Sequence, residues 1–574
     1  MYSSVGCFSL SPNMQIVSFE RLPIELIHQI FHYLHTDEIF QGVMNLNHSL
    51  DRIVHTYDRY QLNFQSIERT RFGFILQHIH PSQVIALTLS NVDETPGEFQ
   101  LFLKRFSLRQ FFRLQSLRLI QPSNPTDLNG ILVNLHTLAS LRSLAILHCS
   151  SSSVNAQTFD ILSSFLQSST SLQRLSLSGT VNDLFEHSFH SSIDHLYFNE
   201  SIFNTIPLSI ITTRMPFLKS LDTAITLKSN PIQSSPSFNH LTRLILTIFI
   251  EMKPTNMNNL LESLSKLTFL KLIANGQQWF NGQFWEDSLP ENLRTFQFNF
   301  SAQAMEINED NSLLKTFQTD FWLHQKHWYV MLDYQMNSTM IHLYSLPFCD
   351  AHFYYRPTMD LTRTFRSSIP LEKSYLDHVT LLTVDLSTLI NEVRLISSPH
   401  YFSNVSTLVL ADSTCHSSAK LLFDFLQSIL NLHGIVNLKL GQFHHPDLIE
   451  LLYQHLPRLT SLRIPETICM QLTTIDFRNI TSLTICDCLT DVQRMHAMFP
   501  NVKKLCVKLM HVQEMQEVMK FYGQDLTNVT FRHVSHDVRM EFEKYLHEFD
   551  SQSHRCSYEV DEHLNIHLWL GNLF

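Results

Sequence analysis

Glycine is scarce in this chain of 574 residues: there are 12, about 2% against the ~7% usual in globular proteins. None falls in a G-x-G-x-x-G or G-x-x-x-x-G-K order, so neither backbone loop that cradles nucleotide phosphates is encoded. Charge is low as well. Charged residues make up 16%, and 41 Lys+Arg against 52 Asp+Glu leave a net charge of −11. A chain of that sign lacks the basic footprint that nucleic-acid binding requires. The nine Cys include no C-x-x-C pair, and the closest two, Cys486 and Cys488, read as small buried hydrophobes with reduced thiols. The longest greasy stretch, Leu244 to Ile250, is far short of the ~20 residues that span a bilayer. The opening MYSSVGCFSLSPNM has no basic region of the kind that begins a signal peptide. These absences predict a protein of the cytoplasm and/or nucleus that engages neither membrane nor nucleic acid.

Catalytic patterns are missing too. There is no G-x-S-x-G turn to strain a nucleophile, and His547-Glu548 lacks the second His of H-E-x-x-H. His324, His327, His342 and His352 match no zinc spacing. No cofactor, no metal and no enzymatic activity are expected.

Apolar matter is plentiful, at 44%, and it carries two different periods. In residues 19 to 34, Pro23 suits a helix start. Leu26, Ile27, Ile30, Phe31 and Leu34 then follow at i, i+3, i+4 spacing as one apolar stripe. Thr36 and Asp37 can cap a second helix holding Ile39, Phe40 and Val43; a third runs through Leu46, Leu50, Ile53 and Val54. Three short helices make a core too small to stand alone, so the unit is expected to dock against something else.

From Val84 onward the period changes to apolar-x-x-apolar-x-apolar, the short strand of a leucine-rich repeat. It occurs at Val84-Leu87-Leu89, Leu114-Leu117-Leu119, Leu141-Leu144-Ile146 and onward to Leu293-Phe296-Phe298. It resumes at Val379-Leu382-Val384 and ends with Leu526-Val529-Phe531. About sixteen units recur every ~21 to 31 residues, within the range of one such repeat. Helical spacing appears between them, at Phe159-Leu162-Phe165-Leu166, Leu422-Phe425-Leu426-Ile429 and Leu448-Leu451-Leu452-Leu456. Such units bury their apolar faces only by stacking. The expected fold is α/β, a curved solenoid with strands inside and helices outside. Residues 315–375 interrupt it, rich in aromatics that include Phe321, Trp322, Trp328 and Tyr344. Trp328 to Tyr334 and Met340 to Leu346 read as two strands around an Asn337-Ser338 turn, either an inserted hairpin or degenerate repeats with longer strands.

Leu22-Pro23-x-Glu25-Leu26-x-x-x-Ile30-Phe31-x-x-Leu34, followed by Asp37 and Ile39, resembles the opening of the F-box. Leu50 departs from that pattern, since many members carry an aromatic residue there. With the repeats behind it, the chain resembles the F-box/leucine-rich-repeat proteins. The resemblance implies a tail at 1–16, an F-box at 17–64, repeats at 65–314, the interruption at 315–375, and further repeats with a C-terminal cap at 376–574. It also implies that Leu22, Pro23, Leu26, Ile30, Phe31 and Leu34 face a Skp1-type adaptor of a cullin–RING ubiquitin ligase, while the repeats hold a substrate protein. The rival expectations are a leucine-rich-repeat scaffold with no ubiquitin link and an enzyme housed in the aromatic insert.

In each L-x-x-L-x-L unit the x positions leave the core for the inner curve. There the chain places Arg118, Arg174, Arg243, Lys271, Lys439, Arg463, Lys504, Lys508 and Arg532, against only Asp222 and Asp385. A basic inner face suits an acidic or phosphorylated substrate segment.

Overall fold

The structure is a computed structural model. It describes residues 22–571 except 93, 151–152, 180–183, 185–188, 200–207, 226–237, 249–251, 304–311, 335–339, 356–363, 370–372, 387–399, 412–417, 442–444, 473–475, 509–510, 524, 552–555 and 562. The expected tail at 1–16 and the Asn337-Ser338 turn lie outside the described residues.

Three short helices come first, Ile24–Phe31, Thr36–Val43 and His48–Thr56. Asn47 caps the third, its side-chain oxygen accepting from Leu50 N–H at 2.9 Å. The second begins differently from expectation. The Glu38 carboxylate accepts from His35 N–H at 2.8 Å, while Thr36 is buried and donates its hydroxyl to Gln61 O at 2.7 Å. That bond ties the helices to the strand Tyr60–Asn63. Rings fill the space between them: Phe31 meets Tyr57 edge-on at 5.4 Å, and Phe40 stacks on Tyr60 at 5.3 Å.

Beyond the helices, the molecule is a mixed α/β structure with two large, mostly parallel sheets. In the first, strands from Tyr60–Asn63 to Thr295–Gln303 pair parallel, each with the next in chain order. In the second the same holds from Leu381–Asp385 to Asn528–Arg532, with His352–Tyr355 parallel on the first of them. Each of the sixteen units read from the period meets one of these strands, its later apolar positions inside the strand and its first, except Val84, just ahead of it. At the leucine positions their register is one residue to one, with shifts elsewhere at Tyr60/Gln61, Ile146/Cys149 and Thr484/Cys488. Leu87, Leu117, Leu144, Leu175, Leu196, Leu221, Leu244, Leu270 and Phe296 stand opposite one another in succession. Leu382, Leu408, Leu438, Leu462, Leu483, Leu505 and Val529 repeat the ladder in the second sheet. All of these side chains are buried, and cutting any such Leu to Ala would cost about 2–5 kcal/mol. The helices expected between strands form at Ala156–Ser168, Ala419–Ile429 and Pro446–His455.

The interruption divides the two sheets, and it holds more than either expected form. Met340–Leu346 lies antiparallel on Thr295–Gln303, Tyr329–Tyr334 lies on it in turn, and Thr364–Ser367 closes that edge. Between them in sequence, His352–Tyr355 is already the first parallel strand of the second sheet. Trp328 is buried beside the hairpin, its ring 5.8 Å from Phe296 and 6.0 Å from Trp322. Trp328→Ala should therefore lower the melting temperature measured by calorimetry, with a loss of about 3 kcal/mol, the low end for a buried tryptophan. An unchanged melting temperature would make Trp328 a surface residue.

The two ends of the chain meet. The final hairpin, Cys556–Val560 with Ile566–Leu570, packs against the start of the first sheet. Arg69 Nη1 donates to Gly571 O at 2.8 Å, and the Trp569 indole N–H donates to Ile67 O at 3.1 Å. Lys504 pairs with Glu94 at 2.7 Å, and the Asn528 amide donates to Glu94 O.

Candidate functional site

The first helix is apolar on two sides. Ile27 and Phe31, four residues apart, turn inward and are fully buried. Leu26 and Ile30 share the adjacent face, Leu34 follows in the turn after the helix, and the three stay 45%, 37% and 38% exposed. Exposed apolar side chains at i and i+4, continued by one in the next turn, form an open apolar strip, which a folded protein leaves open mainly where something docks. Pro23 is exposed and Leu22 half-buried beside it. Phe31 is a correction to the sequence reading. Its ring lies between Tyr57 and His28, so it anchors the helix and does not face outward. Ile24 at 38% and Tyr33 at 90% exposure enlarge the open strip. Neither was singled out from the sequence; the signal was available in an eight-residue helix too apolar for one buried stripe.

The nine basic positions separate into three kinds. Lys271 Nζ is bound by Asp350 at 2.6 Å and Lys504 by Glu94 at 2.7 Å. Lys271 is thus tied to the connection ahead of the second sheet and Lys504 to the loop after Val84–Ser90, which corrects the expectation that they present free charge. Arg243 lies 3.7 Å over the Phe269 ring, a cation–π seat. Arg118, Arg174, Lys439 and Arg463 are exposed, and Lys508 and Arg532 are half-exposed. Among the described residues, none of these six has a carboxylate within ion-pair distance. Lys439 stands directly opposite Arg463 on adjacent strands, and Lys508 opposite Arg532. Like charges in register destabilise a sheet, so these two couples gain from an anion laid across them. The acidic positions are satisfied otherwise. Burial pushes the Asp222 acid up to about 6, against the pull of Lys271 and Arg243. Asp385 is buried and accepts from Tyr354 Oη at 3.0 Å.

No group of His, Cys, Asp and Glu among the described residues could hold a metal ion. No helix among them is long and apolar enough to cross a membrane.

No protein-family model matches the chain, and no curated protein does. Among solved structures, the Toll–Spatzle complex, described as a molecular hub in Drosophila development and innate immunity, aligns at 13% identity and a TM-score of 0.22. The alignment covers 73% of this chain and about half, 51%, of that one.

Proposed function

We propose that this chain is the substrate-receptor subunit of a Skp1–cullin–RING-type ubiquitin ligase. In that reading residues 17–64 are an F-box that binds the Skp1-type adaptor, and the strands after it are leucine-rich repeats of a solenoid that holds the substrate. The observation that supports it is the open strip of Leu26, Ile30 and Leu34, lying within the residues that resemble the F-box. The receptor would contribute no bond chemistry. It would raise the concentration of a substrate beside the charged conjugating enzyme, which is how a tether accelerates a reaction between bound partners. Co-expression with a Skp1-type adaptor tests the reading: a one-to-one complex is expected on size exclusion. Absence of a complex at micromolar concentration would leave a binding scaffold with no ubiquitin link.

The substrate segment in this reading is acidic or phosphorylated. The couples Lys439/Arg463 and Lys508/Arg532 support that, because guanidinium and ammonium groups placed side by side offer paired donors to carboxylate or phosphate. Lys439→Glu with Arg463→Glu should weaken binding of an acidic phosphopeptide library at least tenfold. Raising salt from low to high ionic strength should weaken the wild type as well. Phosphopeptide binding indifferent to both salt and the double reversal would overturn the assignment.

A further inference from the structure

Where the two ends meet they border an open cavity of about 550 Å3, the size of a small-ligand site. Gln121, Ser123 and His148 form part of one wall and Glu559, Asp561 and His567 part of the other. Two backbone outliers sit in the first wall. Gln121 and His148 hold φ of +52° and +57°, a left-handed conformation that costs energy in residues other than glycine and gathers at functional sites.

The charge in the cavity is one-sided. Its lining includes two carboxylates and, among the described residues, no Lys or Arg. Asp561 is fully engaged by its own turn. It accepts from His563 N–H and Asn565 N–H, both at 2.8 Å, from the Asn565 amide at 2.7 Å, and lies 3.3 Å from His567 Nε2. Burial would raise its acid, but these donors outweigh that and hold it below the usual carboxylate range. Glu559 is different. Burial pushes its acid up to about 7, and the nearby Asp127 and Asp561 push the same way, against hydrogen bonds from Ser123 and Gly97 N–H. A carboxylate so placed lacks one thing, a positive charge.

We propose that this cavity binds a cationic amine or guanidinium group, with the Glu559 carboxylate as its counter-ion and Asp561 and Asp127 reinforcing the field. The proposal is independent of the ligase reading, since it uses neither the N-terminal helices nor the inner basic couples. The other titratable groups at the lining are His148, Cys149, His563 and His567; protonation of Glu559 at acid pH removes the counter-ion. Binding therefore tightens as pH rises.

Calorimetric titration of the full chain with agmatine, against the uncharged N-butylurea, is the test. Agmatine should bind and N-butylurea should not. A group titrating near 7 goes from roughly one-tenth to nine-tenths ionised between pH 6 and 8, so the apparent affinity should rise roughly tenfold. At neutral pH, buffers of different ionisation heat should reveal proton release on binding. Glu559→Gln should abolish agmatine binding; if that variant loosens the junction, proton release by the wild type still decides. A short peptide, acetyl-Gly-Arg-Gly-amide, separates two sources of the cation. Tighter binding than agmatine assigns the cavity to a side chain of a protein segment, and weaker binding to a free amine. No agmatine binding at millimolar concentration, equal binding of N-butylurea, or an affinity flat across pH 6 to 8 would each overturn the proposal.

Discussion

Trp569→Ala is expected to open the junction between the two ends while leaving both sheets standing. Trp569 lies on a strand of the second sheet, yet its buried side chain belongs to the apolar core of the first. Its ring is 5.2 Å from Phe72, and its indole N–H satisfies Ile67 O. Truncating a buried tryptophan costs about 3–5 kcal/mol, and the abandoned carbonyl adds about 1 kcal/mol. Lys504→Gln offers the contrast. The side chains of Lys504 and Glu94 are 32% and 39% exposed, so the solvent-screened pair is worth only about 0–1 kcal/mol. Hydrogen exchange should then quicken at Ile566–Leu570 and Arg69–His78 in Trp569→Ala and stay slow at Arg243–Ile248 and Ser461–Ile464. Uniform loss of protection would mean that the two sheets do not survive without the junction.

Leu26→Asp with Ile30→Asp should abolish adaptor capture without unfolding the protein. Truncating one buried interface anchor costs ~2 kcal/mol, so two amount to ~4 kcal/mol, about a thousandfold in affinity. A buried carboxylate adds to that loss. Because both side chains are open in the free chain, its circular dichroism and melting should hardly change. Ile27→Asp, one residue along and fully buried, should instead disorder the helices. An unaltered complex with the double variant would show that this strip is not the docking face.

The contrast between Ile27 and Leu26 also marks what local pattern can reveal. Helical spacing placed five apolar residues on one stripe, but a stripe that wide wraps around the helix. Which half turns inward is settled by Tyr57, which packs on Phe31 from a distant position. Strands were more legible than helix faces. In L-x-x-L-x-L each buried position is set by backbone alternation, which needs no knowledge of the neighbour, and so Ser116–Ile120 and Lys504–Lys508 lie where the pattern put them. Strands without the pattern, such as Tyr60–Asn63 and Cys556–Val560, were not found. The break between the two sheets was legible as the lost period at 315–375, but the reversal of Met340–Leu346 onto Thr295–Gln303 that makes it was not. Long-range partners left no trace at all. Asp350 is 79 residues from Lys271 and Glu94 is 410 from Lys504, so both lysines read as free charge. The cavity, built from residues near 91–150 and 559–567, has no local signature for the same reason.

The one-to-one leucine ladder constrains how this protein can change its length over generations. Side chains alternate with a period of two, so a single residue inserted inside Leu381–Asp385 or Asn437–Leu440 would swap that strand's faces and drive its leucines into water. The same insertion in a connection shifts nothing, since loop closure grows only as the logarithm of length. Drift in this lineage should thus accumulate as gains and losses between strands, with the strands themselves fixed in length parity.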